Sequence, residues 1–163
     1  MAVAGRLRCA VAPVYVGVGA NLGDREATIR RAVTLLGEQT GIEICRMSTL
    51  RETAPWGLED QPRFVNGVVE LETTLGPRHL LEALLAVELA LGRVRQEERW
   101  GPRPIDLDLL VYGDHIVDEP GLTVPHPRLA ERRFALEPLV ELASDLVIPG
   151  QGAAATLLAR LGS

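Results

Sequence analysis

The chain contains no lysine; all 17 of its basic residues are arginine. A genomic base bias accounts for that on its own, but the absence still excludes chemistry. There is no P-loop lysine, no kinase strand lysine and no Schiff-base lysine. Any phosphate handling must rest on arginine, metal ions and backbone amides. Cysteine is scarce, and Cys9 and Cys45 have no metal-ligand spacing. Cys45 alternates with apolar neighbours and reads as a buried thiol, which fits a reducing, cytoplasmic setting. No apolar run approaches about 18 residues, so no membrane span is expected. A basic excess is also missing: the net charge of −5 argues against broad nucleic-acid binding. The three histidines, His79, His115 and His126, form no metal pattern, and no Ser/His/Asp or Cys/His nucleophile arrangement is present.

What remains suits one globular domain of 163 residues, with 47% apolar and 24% charged residues. Residues 1–13 lack a long apolar core and a cleavage pattern, so they are expected to be a disordered leader before a single domain over residues 14–163. Strands are expected over residues 14–18, 42–53, 64–73 and 105–112, and helices over residues 25–38 and 77–91. Asp24 is the expected N-cap of the first helix; Pro77 opens the second and Gly92 closes it. Residues 54–63 and 93–104 are proline- and glycine-punctuated loops. A mixed C-terminal section follows, partly helical around Pro138 and again over residues 153–161. The order predicts an α+β fold: a ferredoxin-like βαββαβ antiparallel sheet with helices on one face, and a C-terminal α/β extension.

Four local patterns bear on chemistry. Gly17-Val18-Gly19-Ala20-Asn21-Leu22-Gly23 is spaced G-x-G-x-x-x-G and lacks a parallel βαβ context, so it reads as a tight turn into a capped helix and not as a dinucleotide site. Asp106-Leu107-Asp108 falls on an apolar strand, where residues two apart share a face. Two carboxylates there repel unless a cation or an arginine neutralises them, so a hard metal such as Mg²⁺ and an arginine-paired face are both open readings. Arg93, Arg95, Arg99 and Arg103 gather in the preceding loop around Trp100, either as a solvated loop or as a lid over a polyphosphate. Phe64 and Asn66 share one strand face, with Trp56 just upstream; they are either core and edge residues or a slot for a flat heterocycle.

Taken in order, Gly19-Ala20-Asn21-Leu22-Gly23, Asp60-Gln61-Pro62-x-Phe64-x-Asn66, Arg93-Val94-Arg95, Arg99-Trp100-Gly101-Pro102-Arg103, Asp106-Leu107-Asp108 and Leu122-Thr123-Val124-Pro125-His126 resemble the 6-hydroxymethyl-7,8-dihydropterin pyrophosphokinases of folate synthesis. The likeness runs from about Val14 to Pro149. It implies pyrophosphate transfer from ATP to the pterin hydroxymethyl group, leaving AMP. It further implies that Asp106 and Asp108 hold two Mg²⁺ and that Arg93 and Arg103 meet developing phosphate charge. Glu88, Arg95, Trp100, Thr123, His126 and Arg132 match the ATP side; Thr53, Trp56, Phe64, Asn66 and Phe134 match the pterin side. The implied partners are these small molecules, with no nucleic acid, membrane or obligate protein partner, in a stand-alone enzyme. Two other readings are a D-x-D nucleotidyl- or glycosyltransferase, which lacks its usual Gly-Ser helix start here, and a small ligand-binding regulatory module.

Overall fold

In the computed structural model, residues 12–53, 63–92 and 104–162 are described. The first strand, β1 (Val14–Ala20), is buried at every position except Gly17. Burial on both faces is the mark of a central strand. β1 lies between β4 (Phe64–Thr73) and β5 (Asp106–Tyr112), antiparallel to both. β2 (Ile42–Met47) adds to the other edge of β4, giving the order β2-β4-β1-β5.

The single strand expected over residues 42–53 is two strands. β2 ends at Met47, and β3 (Arg51–Thr53) pairs with the beginning of β4. The chain breaks between them because Ser48 substitutes its side chain for the ladder. Ser48 N–H donates to Val68 O at 2.9 Å, and Ser48 Oγ accepts from Val68 N–H at 2.9 Å. Gly67 makes room for the crossing: a Cβ there would lie 2.6 Å from Leu50 Cδ2.

Helices α1 (Arg25–Gly37) and α2 (Pro77–Ala90) cover one sheet face. Asp24 caps α1 as the sequence predicts, its carboxylate accepting from Ala27 N–H. Pro77 opens α2, and Gly92, at φ +95°, follows its end. Ile29, Ala32 and Leu36 of α1 and Leu80, Leu84 and Val87 of α2 pack on Val16, Val18, Val69, Leu107 and Leu109.

The expectation of helices on one face alone is corrected by the C-terminal section. A two-stranded ribbon, β6 (Val117–Glu119) and β7 (Leu122–Val124), and a 3₁₀ turn (Leu129–Glu131) lead to α3 (Arg133–Leu142). Pro138 lies inside α3, and a small β8–β9 pair (Val147–Ile148 and Gly152–Ala153) precedes α4 (Ala154–Arg160). Leu136 and Leu139 of α3 and Leu157 of α4 join Tyr15, Val68, Leu110 and Val111 in a second core on the opposite face. The sheet is thus clad on both sides. Cys45 is half-buried on β2 and is not a free thiol, which corrects the buried-thiol reading. The leader expectation falls largely on residues outside those described, although Pro13 O already accepts from Gly113 N–H at 2.9 Å.

Candidate active site

β5 alternates as its sequence requires. Leu107 and Leu109 are buried in the core beneath α1 and α2, while Asp106 and Asp108 are half-buried on the opposite face. Each buried leucine contributes about 1.5–3 kcal/mol. A one-residue slip would expose both leucines and bury both carboxylates, so the apolar positions set where the acids point.

Cross-strand register then assembles the surroundings. Asp106 stands opposite Gly19 of β1, and Gly19 stands opposite Asn66 of β4. Asp108 stands opposite Gly17, and Gly17 opposite Val68. Directly paired residues share a face, so Asn66, Gly19 and Asp106 form one row across three strands, and Asp108 and Gly17 belong to the next. Phe64, two residues before Asn66, shares that face and is half-buried. The row spans two strand spacings, so the Asn66 and Asp106 backbones lie roughly 10 Å apart.

Asn66 is held in orientation. Its Nδ2 donates to Thr53 Oγ1 at 2.6 Å. Its Oδ1 occupies the space above Gly19, where a Cβ would approach it to 2.6 Å. The amide is thereby fixed by β3 on one side and admitted by the missing side chain on β1. Gly19, read from sequence as the start of a turn, lies instead on the strand floor of this row, two residues from Gly17. Their spacing of two was the available signal.

The C-terminal section supplies the cationic and aromatic side. Arg132, at the start of α3, has only 14% of its side chain exposed and places Nη1 3.7 Å from Asp108 Oδ2. Its guanidinium lies 5.6 Å from the Phe134 ring centroid. Arg132 Nε is buried without a hydrogen-bond partner among the described residues. His126 is half-buried in the Pro125–Pro127 segment; its N–H donates to Leu110 O at 2.9 Å and its Nδ1 accepts from Arg128 N–H at 3.1 Å. Burial, with Arg132 and Arg128 nearby, lowers its pKa to about 4. The ring is therefore neutral near pH 7, and with Nδ1 accepting, its proton resides on Nε2. Thr123 is exposed on β7, in the ribbon beside β5.

Glu88 is 4% exposed, and its Oε2 accepts from Leu107 N–H at 2.7 Å. Trp56, Arg93, Arg95, Trp100 and Arg103 lie outside the described residues. No group of three or more His, Cys, Asp or Glu side chains could hold a metal ion among the described residues. Asp106 and Asp108 thus offer two hard oxygen-bearing groups and not an all-protein cage. Such a donor set suits Mg²⁺, which commonly takes one or two carboxylates and fills its other positions with water and phosphate oxygens.

Similarity to known proteins follows the same residues. The family model described as 7,8-dihydro-6-hydroxymethylpterin-pyrophosphokinase matches residues 15–144. A 2-amino-4-hydroxy-6-hydroxymethyldihydropteridine pyrophosphokinase of Methylorubrum extorquens is 47% identical over 137 residues, covering 84% of this chain and 86% of the relative. The Bacillus subtilis protein of that name is 44% identical over 132 residues, covering 81% and 78%. A crystal structure described as HPPK-DHPS in complex with substrates superposes with a TM-score of 0.69 at 13% identity, covering 91% of this chain and 43% of that one. At that identity the likeness is one of fold, and this chain spans less than half of that longer one. The match over residues 15–144, together with relatives at this level of identity, places the chain in the 7,8-dihydro-6-hydroxymethylpterin-pyrophosphokinase family.

Proposed function

We propose that the carboxylate face of β5 holds Mg²⁺ and the triphosphate of ATP, while the Asn66 amide reads the edge of the pterin. As a member of its family, the chain is an ATP-dependent diphosphotransferase of folate biosynthesis. It transfers pyrophosphate from ATP to the hydroxymethyl group of 6-hydroxymethyl-7,8-dihydropterin, giving AMP and the dihydropterin diphosphate. The observation that carries the site assignment is the row Asn66–Gly19–Asp106, with Asp108 beside it. It sets an oriented amide and two carboxylates across a side-chain-free floor, at a separation suited to a bicyclic heterocycle with a one-carbon arm.

In the reaction the hydroxymethyl oxygen attacks the β-phosphorus, and the bond from that phosphorus to the α-phosphate oxygen breaks. The alcohol proton passes to solvent water, and negative charge grows on the departing AMP. Asp106 and Asp108 would hold Mg²⁺, two ions in this reading, which would supply charge neutralisation and Lewis acidity toward the alcohol. Asp106 orients the acceptor hydroxyl, and Asp108 anchors the metal side. Arg132 is already beside Asp108, and its buried Nε has no hydrogen-bond partner among the described residues, so it can turn donors to phosphate without leaving its socket. The neutral His126 ring offers an Nε2–H donor and adds no competing cation. Thr123 joins the ATP side, with Arg95 and Trp100 of the preceding loop. Arg93 and Arg103 meet the developing phosphate charge, the work done elsewhere by lysine. Thr53 fixes Asn66, and Phe64, Phe134 and Trp56 line the heterocycle.

The antiparallel order β2-β4-β1-β5 supports reading the four long strands as a ferredoxin-like βαββαβ unit with a C-terminal extension, one domain over residues 14–163. No helix among the described residues is long and apolar enough to cross a membrane. A cytoplasmic enzyme acting without an obligate protein partner is the accompanying reading. Incubation with Mg²⁺, ATP and 6-hydroxymethyl-7,8-dihydropterin tests the assignment. AMP and the pterin diphosphate should appear together. Formation of ADP, release of pyrophosphate, or no turnover would overturn it.

A further inference from the structure

β5 is the outer strand of its sheet, so among the described residues one of its edges has no strand partner. An outward N–H on such an edge still needs an acceptor when it is buried. At Leu107 that acceptor is Glu88 Oε2, reached at 2.7 Å from α2. Glu88 is 4% exposed, and burying a carboxylate is costly unless it is hydrogen-bonded. A charged acceptor makes a shorter bond of roughly twice the neutral strength. Leu107 is the residue between Asp106 and Asp108, so this bond fixes the backbone that aims both carboxylates. Three residues on, Leu110 O accepts from His126 N–H at 2.9 Å. The metal-bearing strand is therefore gripped along its open edge at two points, one from α2 and one from the segment before α3.

We infer that Glu88 is a positioning residue for the metal site, acting through the Leu107 backbone and not as a direct ligand of ATP. This rests on the assignment of Asp106 and Asp108 as metal carboxylates. Glu88 belongs to the structural shell behind the site, where loss of a supporting partner typically costs about 10–100-fold in metal affinity or activity.

Two variants of the full chain test it. Glu88→Leu removes the acceptor; Glu88→Gln keeps an acceptor oxygen. In Glu88→Leu the Mg²⁺ concentration for half-maximal turnover should rise about 10–100-fold. Its kcat should fall, with the pterin KM unchanged. Amide exchange at Leu107 should accelerate, and binding of Mn²⁺ alone, read by electron paramagnetic resonance, should weaken in step. Glu88→Gln should recover most of each loss. Unchanged Mg²⁺ dependence in Glu88→Leu would overturn the inference. So would a raised ATP KM in Glu88→Gln with Leu107 still protected, the signature of a direct nucleotide contact; that result decides the matter if Glu88→Leu does not fold. If the wild type forms no AMP, the pyrophosphokinase reading fails separately, because Leu107 exchange and Mn²⁺ binding still report on positioning.

Discussion

Asp108 and Gly19 show how much a single residue settles here. Asp108→Ala removes one of the two carboxylates and the acidic partner that lies 3.7 Å from Arg132. Turnover should fall by on the order of 100-fold or more, since the direct ligand that Asp108 is proposed to be matters at least as much as its supporting shell. A steady-state assay of AMP release reads this, and near-normal turnover would place the metal elsewhere. Gly19→Ala makes a different prediction. Its Cβ would press to 2.6 Å on Asn66 Oδ1, which must swing away from the orientation that Thr53 holds. The pterin KM should rise several-fold with little change in the ATP KM. An equal rise in both would mean that the glycine serves the whole floor and not the amide. The sequence displayed both acids as a pair on one strand face. It displayed Gly19 only within a turn-like motif, because its role comes from Asn66 of β4, 47 positions away, crossing into its space.

At the scale of elements, the outer edge of β4 is served by two short strands joined through Ser48. Ser48 is buried, and its hydroxyl accepts the Val68 N–H that a continuous strand would have paired. Ser48→Ala leaves that N–H without its partner, a cost of about 1–3 kcal/mol. At about 2–4 °C per kcal/mol for a chain of this size, the Tm should drop by several degrees. An unchanged Tm would show that water or a shifted carbonyl replaces the hydroxyl. The same break is tied to α3. Glu141 accepts from Thr49 N–H at 3.0 Å and pairs with Arg51 at 3.0 Å, so the helix that covers the second core also holds β3 and, through Thr53, Asn66. From sequence, residues 42–53 read as one strand, because nothing local marks Ser48 as a surrogate for the ladder. That role exists only once β4 lies alongside.

For the whole molecule, pH is the revealing variable. The His126 pKa is lowered from 6.5 to about 4 by burial, then by Arg132 and Arg128. Above about pH 6.5 the ring is neutral folded or unfolded and contributes no pH dependence. Between there and about 4 only the unfolded chain takes up the proton, so stability falls as pH falls, by at most about 1.4 kcal/mol per pH unit. Glu141 acts with the same sign in a lower window. The backbone hydrogen bond from Thr49 leads in lowering its pKa, so its contribution is present above the ordinary carboxylate range and lost as pH falls through its folded value. Denaturant unfolding at a series of pH values should show stability declining from pH 6.5 toward 4. His126→Gln should flatten that upper portion and leave the lower one. A decline of equal slope in the variant would assign the proton uptake to another group.

By itself the sequence determined the elements and the inventory of chemistry. Period-two apolar residues oriented β5, Asp24 and Pro77 opened the two long helices, and the R-W-G-P-R-x-x-D-x-D segment marked the family. These signals are local, each carried within one strand, one cap or one motif. Tertiary structure decided the rest. It split one predicted strand in two, put α3 on the face that a simple βαββαβ reading left bare, and set Asn66, Gly19 and Asp106 in one row. It also turned Glu88 toward the Leu107 backbone. Those outcomes depend on register between strands distant in sequence and on which buried polar group must satisfy which. The contacts that decide them form only when the distant segments pack together.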